Sequence, residues 1–251
     1  MLIKNITPVI IAKDAQSTIK ICLESLIEFE EVILYLNNTT DDTVEIASLY
    51  KNVKIIDGIF EGFGQTKNKA ITYSSNDWIL SLDSDEVLSS EFIAKLKKID
   101  LEDKKVYSIY RTNYYKKQQI KHCWGDDIIV RLFNHKVTSF CDNKVHEYVK
   151  EDGLINITIK GIVEHYPYNN MTDFIIKLDR YSTIFAQEHV GRKSSSPLKA
   201  FLNAHFSFFK TYILKRGFLD GYAGLIIAFS HMATNFYKYM KLYELNKESK
   251  Q

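Results

Sequence analysis

Trp78-Ile79-Leu80-Ser81-Leu82-Asp83-Ser84-Asp85-Glu86 is the stretch that decides the fold. Four of its first five residues are apolar, which reads as a buried strand, and the run then breaks into three acids with no Lys or Arg among them. On an extended backbone side chains alternate faces, so Asp83 and Asp85 are expected to project together while Ser84 turns aside. Two carboxylates on one edge repel each other unless a cation sits between them. Oxygen ligands of this kind suit Mg²⁺ or Mn²⁺ completed by phosphate oxygens. An acidic turn closing a strand produces the same short pattern, so its meaning depends on its surroundings.

Upstream of that run, strand and helix signals alternate. Residues 8–12 form an apolar strand, and Ile19, Cys22, Leu23, Leu26 and Ile27 then fall on one face of a helix. Residues 31–36 read as a second strand, and Asp41 or Asp42 caps a helix over 43–50. Residues 53–57 are a third strand; Gly58, Gly62 and Gly64 mark a loop before a helix around 67–73, and the fourth strand is 78–82. Such a series makes a parallel sheet with helices on both faces. Ligands of these sheets bind outside the carboxyl ends of the strands. Lys13-Asp14, Leu36-Asn37-Asn38 and the Asp83/Asp85 pair all fall at such ends, which favours the metal reading of the pair over the bland turn.

Downstream, residues 106–115, 128–133 and 155–159 read as strands. From 172 onward the pattern is helical, first through Phe174, Leu178, Tyr181 and Phe185, then over 198–214 and 219–243, with a polar break at 191–197. The expected division is an α/β domain over residues 1–170 and a helical extension over 171–251. There is no internal repeat or low-complexity tract.

A chain of 251 residues, 45% hydrophobic and 25% charged, is an ordinary globular composition with room for one large core. The net charge of +2 hides an asymmetry: residues 190–251 hold ten Lys/Arg against three Asp/Glu, a balance of +7 that leaves −5 for the rest. In that tail Phe201, Phe206, Phe208, Phe209, Tyr212 and Phe218 lie amid Lys199, Lys210, Lys215 and Arg216. This suits peripheral contact with an anionic membrane, and it equally suits an aromatic core with a solvated cationic face. No nucleic-acid module or dense basic run is present, so a nucleic-acid partner is not expected. Cys22, Cys123 and Cys141 are odd in number and not spaced like metal ligands, which points to reduced thiols in the cytoplasm. The chain runs from Met1 directly into a strand, and its longest apolar stretch, 223–232, is too short to span a bilayer.

Three further constellations bear on chemistry. Lys67 and Asn68, after Glu61-Gly62-Phe63-Gly64, offer positive and amide donors to a nucleotide diphosphate, against an exposed helix lysine as the alternative for Lys67; Gly-Lys-Ser/Thr is missing, so this is not a P-loop. His122-Cys123-Trp124-Gly125-Asp126-Asp127, closely followed by Arg131, suits a sugar site in which a ring stacks on the indole and a carboxylate takes a hydroxyl proton; a strand-connecting turn with a solvated Asp126/Asp127 pair is the plainer reading. Val145-His146-Glu147 offers His146 as a third metal ligand and Glu147 as a base or orienting group, against a hydrogen-bonded core histidine.

Together these motifs resemble an inverting family 2 glycosyltransferase of the GT-A fold, and within it the bacterial group that adds β-linked glucose to heptose in the lipopolysaccharide inner core. The resemblance runs almost end to end. It is carried by Thr39-Thr40-Asp41-Asp42-Thr43-Val44-Glu45-Ile46-Ala47, Glu61-Gly62-Phe63-Gly64 with Lys67-Asn68, and residues 77–86. Arg131-Leu132-Phe133, Val145-His146-Glu147, Lys177-Leu178-Asp179-Arg180-Tyr181 and Gly217-Phe218-Leu219-Asp220-Gly221 complete it.

The resemblance implies a mostly parallel sheet with helices on both faces and a helical C-terminal extension. It implies that Asp83 and Asp85 bind Mn²⁺ or Mg²⁺ and, with Ser84, the donor diphosphate. Pro8, Ile10, Ala12, Asp14, Asn37, Lys67 and Asn68 would line the UDP-sugar pocket. Asp127 or Glu147 would deprotonate the acceptor hydroxyl, Asp127 being favoured by its acidic loop. The acceptor would be a lipid-linked glycan, and the enzyme cytoplasmic and peripheral on the inner face of the membrane. Two departures stand out: Asp14-Ala15 occupies the place of the family's Asn-Glu, and Leu36 that of its Asp. Two other classes compete. A sugar-phosphate nucleotidyltransferase would carry a glycine- and arginine-rich loop after the first strand, which residues 11–15 do not offer; a degenerate scaffold binding glycan or membrane is suggested by Ala15 and Leu36.

Overall fold

Every residue of Ile6–Ala12 (β1) and of Val32–Asn37 (β2) is buried, as near-continuous apolar strands covered on both faces must be. The computed structural model describes residues 3–141 and 147–249. After β1 come α1 (Ile19–Glu24), β2, α2 (Thr43–Ala47), β3 (Val53–Gly58), α3 (Phe63–Ile71), β4 (Trp78–Asp83), β5 (Glu86–Leu88) and α4 (Ser90–Leu96). They are followed by β6 (Lys105–Tyr115), β7 (Gln118–Gln119), β8 (Asp127–Asn134) and β9 (Ile155–Tyr168). The rest is helical: α5 (Met171–His189), α6 (Pro197–Phe209) and α7 (Gly221–Glu248), with a π-helical turn over Lys210–Leu214 and a 3-10 turn over Gly217–Asp220 between the last two.

The described strands form one mixed sheet in the order β3-β2-β1-β4-β8-β6-β9-β5, with β7 paired to β6. The β1–β2, β2–β3 and β1–β4 pairs are parallel, whereas β4–β8, β6–β8 and β5–β9 are antiparallel. Alternate residues of each parallel strand feed two cores. Ile10, Leu34 and Leu80 meet Leu23 of α1 and Phe92 and Leu96 of α4, while Val9, Ile33 and Ile79 meet Ala70 and Ile71 of α3 on the other face. Helices therefore cover both faces, as expected of this α/β class.

Two compact units result, Met1–Thr112 with Asp126–Tyr166, and Asn113–Gly125 with Pro167–Gln251. Residues 113–125 and 167–170 thus group with the helices, where a single cut after 170 had left them with the sheet. The helical unit has its own core of Tyr115, Ile120, Cys123, Phe174, Ala223 and Ile227. Its α5 begins with a capping box in which Asn170 and Asp173 satisfy each other's backbone N–H groups. Among the described residues no helix is long and apolar enough to cross a membrane.

The strand pattern read from the sequence lacked α4. That helix starts where the Ser89 hydroxyl accepts the Phe92 N–H, and it is held by burial of Phe92, Ile93 and Leu96. α2 is shorter than expected, ending at Ala47, and its N-cap residue Asp42 makes no side-chain bond. Asp41 instead accepts from the Thr43 N–H and hydroxyl.

Candidate active site

β2 and β3 lie to one side of β1 and β4 to the other, so the winding direction reverses between β1 and β4. A crevice opens outside the carboxyl ends of two such strands. Asp83, the last residue of β4, pairs in register with Ile11 near the end of β1. Ser84 and Asp85 lie in a turn, so the strict alternation of strand side chains stops at Asp83. The Asp85 carboxylate faces the His165 imidazole, 3.6 Å from Nε2.

Three cations that are distant in sequence converge on Asp83. Lys67 enters from α3, whose start is set by Gly62 at φ 115°, a conformation natural to glycine. Although only 2% exposed, Lys67 donates from Nζ to Asp83 Oδ1 at 3.0 Å and to Glu147 Oε1 at 2.8 Å, and its ammonium lies 5.3 Å from the Phe140 ring centroid. Arg131 of β8 donates from Nη2 to Asp83 Oδ2 at 2.6 Å and to Glu86 Oε1 at 2.8 Å. Arg111 of β6 donates to Glu86 Oε1 at 3.1 Å and to Asp127 Oδ2 at 2.8 Å. Glu86 is wholly buried, and its second oxygen accepts the Asp83 backbone N–H at 3.0 Å.

The electrostatics follow from these contacts. Burial pulls the Asp83 carboxyl upward, but Arg131 first and then Lys67 and Arg111 hold it well below the usual carboxylate range. Both guanidinium groups are moved upward against the effect of burial, Arg131 mainly by Asp83 and Arg111 mainly by Glu86. The Nε atoms of both arginines are buried without an acceptor among the described residues. Even so, Lys67, Arg111 and Arg131 face four carboxylates, Asp83, Glu86, Asp127 and Glu147, so acids outnumber these three cations, and a fifth acid, Asp85, lies against His165.

The donor set fits a hard divalent ion in one specific way. Among the described residues no group of three His, Cys, Asp or Glu side chains is placed to hold a metal, and His146, the expected third ligand, lies outside the described residues. Mg²⁺ is commonly bound by one or two carboxylates with substrate phosphates completing the shell, and Asp83 and Asp85 are donors of that kind. Both oxygens of Asp83 already accept from side-chain cations, a circumstance that the local sequence, free of Lys and Arg, did not announce.

Other expected residues have different roles. Ile10 and Ala12 point into the core beneath α1 and Pro8 is buried in mid-strand, so these three side chains line no cleft, because β1 is covered on both faces. Asp14 and Asn37 do fall at strand ends. Asp14, at φ 48°, accepts from the Thr40 N–H and hydroxyl, and Asn37 donates to the Ala12 carbonyl at 3.3 Å. Ala15 and Leu36 are buried in the core, which fills with hydrocarbon the places where the resemblance has carboxylates. The Asn68 amide donates to and accepts from the Phe140 backbone, both at 3.0 Å, positioning that segment beside Lys67.

The half-buried Trp124 packs against the helical unit's core: its ring stacks on Tyr168 with centroids 5.3 Å apart, and its Nε1–H donates to His231 Nε2 at 3.2 Å. Asp126 is exposed, and the Asp127 side chain, 43% exposed, is the more open of the two candidate bases, Glu147 being 17% exposed. Glu86 and Arg111 were not foreseen. The signal for Glu86 was its alternation with the buried Leu88 in Glu86-Val87-Leu88; for Arg111 it was an arginine in the middle of a tyrosine-rich strand.

A family model described as glycosyl transferase family 2 matches residues 7–150, more than half of the chain. An uncharacterised glycosyltransferase of Rickettsia typhi is 27% identical over 266 residues, covering 98% of this chain and 89% of that protein. Its counterpart in Rickettsia prowazekii is 26% identical over 261 residues, with 98% and 89% covered. Among solved structures, S. aureus TarS 1–349 in complex with UDP aligns over 98% of this chain and 91% of that one, at 16% identity and a TM-score of 0.49.

Proposed function

This chain belongs to glycosyl transferase family 2, and from that premise we propose that it is a metal-dependent inverting hexosyltransferase. The hexose is glucose, the donor a UDP-sugar, and the acceptor a lipopolysaccharide core or related lipid-linked glycan, as the motif resemblance implies. Such a donor and acceptor place the enzyme in the cytoplasm, peripheral on the inner membrane face.

The observation that carries the reading is the charge balance at the β1/β4 crevice. A diphosphate brings further negative charge to a site where Asp83, Glu86, Asp127 and Glu147 already outnumber Lys67, Arg111 and Arg131. A divalent cation corrects that excess. Asp83 and Asp85 would hold Mn²⁺ or Mg²⁺, which supplies the charge that stabilises a departing diphosphate. Lys67 and Arg131 hold Asp83 ionised and keep fixed positive charge beside it. Arg111 spans Glu86 and Asp127 and thereby orients Asp127, the more open carboxylate, as the base. The acceptor hydroxyl oxygen attacks the anomeric carbon as the carbon–oxygen bond to the diphosphate breaks. Asp127 takes the hydroxyl proton, UDP leaves with the bonding electron pair, and the anomeric centre inverts.

Transfer to truncated core lipid, followed by mass spectrometry over a panel of nucleotide sugars, tests the reading. The expected product is one hexose heavier and of inverted configuration; a retained configuration rejects the mechanism. Chelation is expected to stop turnover and Mn²⁺ to restore it, and turnover undiminished by chelator removes the metal. Asp127→Asn is expected to lower kcat by roughly 10²–10⁴-fold with little change in the donor KM. If that variant stays active while Glu147→Gln does not, the base is Glu147.

A further inference from the structure

α6 is amphipathic in the inverted sense. Its small residues Ala200 and Ala204 are the buried ones, while Leu198, Phe201, Leu202, Phe206 and Phe209, spaced along one helical stripe, are 48–67% exposed. The stripe continues through Ile213 and Leu214 of the π-helical turn and Phe218 and Leu219 of the 3-10 turn, all exposed. α7 adds Tyr222, Leu225 and Phe229 at i, i+3 and i+7. An apolar groove of about 300 Å³, lined by Phe201, Ala204, Phe229, Met232, Ala233 and Phe236, runs into the same face. Exposed apolar surface this continuous marks an interaction site in a soluble protein.

The charge around it selects the partner. Residues 191–219 contain six Lys/Arg and no Asp or Glu. Lys210, Lys215 and Arg216 are exposed at the end of the stripe, and Asp220, the next acid, is only 3% exposed, with its carboxylate occupied by the backbone N–H groups of Lys121, His122 and Cys123. We propose that this face of α6, the two turns after it and the start of α7 lie in the headgroup layer of an anionic bilayer. The aromatics enter the acyl boundary, the groove receives acyl-chain carbon, and the cations meet lipid phosphates. A second copy of the chain is a poor occupant, because it would set the same cations against each other with no acid to receive them. No described helix is long and apolar enough to cross the bilayer. The inference gives the membrane-peripheral location proposed above a definite surface, and its test does not depend on catalysis.

The full chain is sedimented with vesicles of mixed phosphatidylglycerol and phosphatidylcholine, and with phosphatidylcholine alone, at low and high salt. Binding is expected to the anionic vesicles and to weaken as salt rises. Lys210→Ser and Lys215→Ser should each weaken it by a factor of about five. Phe206→Glu with Phe209→Glu should abolish it at an unchanged unfolding temperature, since both side chains are exposed, and should leave UDP-sugar hydrolysis without lipid unchanged. A chain that stays in the supernatant, or binds neutral vesicles equally at any salt, overturns the proposal. So does a dimer that Phe206→Glu disperses in the absence of vesicle binding, which would assign the face to a second copy. A native chain that binds the anionic vesicles but hydrolyses no UDP-sugar would instead count against the transferase reading alone.

Discussion

Glu86 is fully buried between Arg111 and Arg131, and it holds the Asp83 backbone as well. Removing such a partner leaves buried positive charge uncompensated, so Glu86→Ala is expected to cost about 3–5 kcal/mol in urea unfolding. An unchanged midpoint would show the guanidinium groups to be hydrated in solution. His231 is a second residue with a sharp expectation. Its Nε2 accepts from Trp124, so Nδ1 carries the proton and donates to Thr211 Oγ1 at 3.0 Å. Burial, and secondarily Lys215, holds it down to about 4. As pH falls below the ordinary imidazole value of about 6.5, the unfolded chain takes up a proton that the folded one refuses. Stability from this residue is complete above that value and falls toward pH 4, by about 2 kcal/mol between pH 7.5 and 5. Chemical denaturation at the two pH values measures it, and His231→Gln, which can make both hydrogen bonds without titrating, should flatten the difference.

At the scale of elements, one crossing depends on the absence of a side chain. A Cβ on Gly224 of α7 would come within 1.8 Å of the Gly217 carbonyl oxygen, so the 3-10 turn and α7 can pack only with glycine there. Gly224→Ala is expected to destabilise the helical unit by about 1–3 kcal/mol, read from thermal unfolding; a neutral substitution would mean that the turn shifts freely. The same turn delivers Asp220, which binds three consecutive N–H groups and the His122 imidazole, at 2.8–3.1 Å. Burial opposes ionisation, yet the Cys123 N–H and then His122 hold this carboxyl below its ordinary range. The Gly217–Gly221 motif was legible as a helix junction, but its clasp on residues 121–123 was not, because some hundred residues separate the partners. α4 was missed for a local reason: its seven residues are too few for periodicity to show.

For the molecule as a whole, the three cysteines are a simple reporter of the fold. All are buried and unpaired in disulfides. Burial raises the Cys22 thiol well above its ordinary value, and burial followed by Asp220 pushes Cys123 up to about 12. An aromatic disulfide reagent at pH 8 is expected to label none of them in the folded chain and all three in denaturant. Rapid labelling of the folded chain would show that one of the cores opens locally.

The alternation of apolar runs and helical stripes was enough to read the α/β class, because side-chain period and burial are local properties of the chain. It also put Asp83 at the mouth of a parallel sheet, since strand order and handedness leave few alternatives. Charge compensation could not be read the same way. In one dimension the acids of 83–86 have no basic neighbour, and a metal looked like their only counter-charge. Folding brings Lys67, Arg111 and Arg131 to them from α3, β6 and β8, and the case for a cation then rests on the carboxylates that remain in excess. The packing of Trp124 and Ile10 was hidden for the same reason: where an aromatic or aliphatic side chain lies depends on which distant elements pack against it, and Coulomb and packing forces act through space without regard to chain separation.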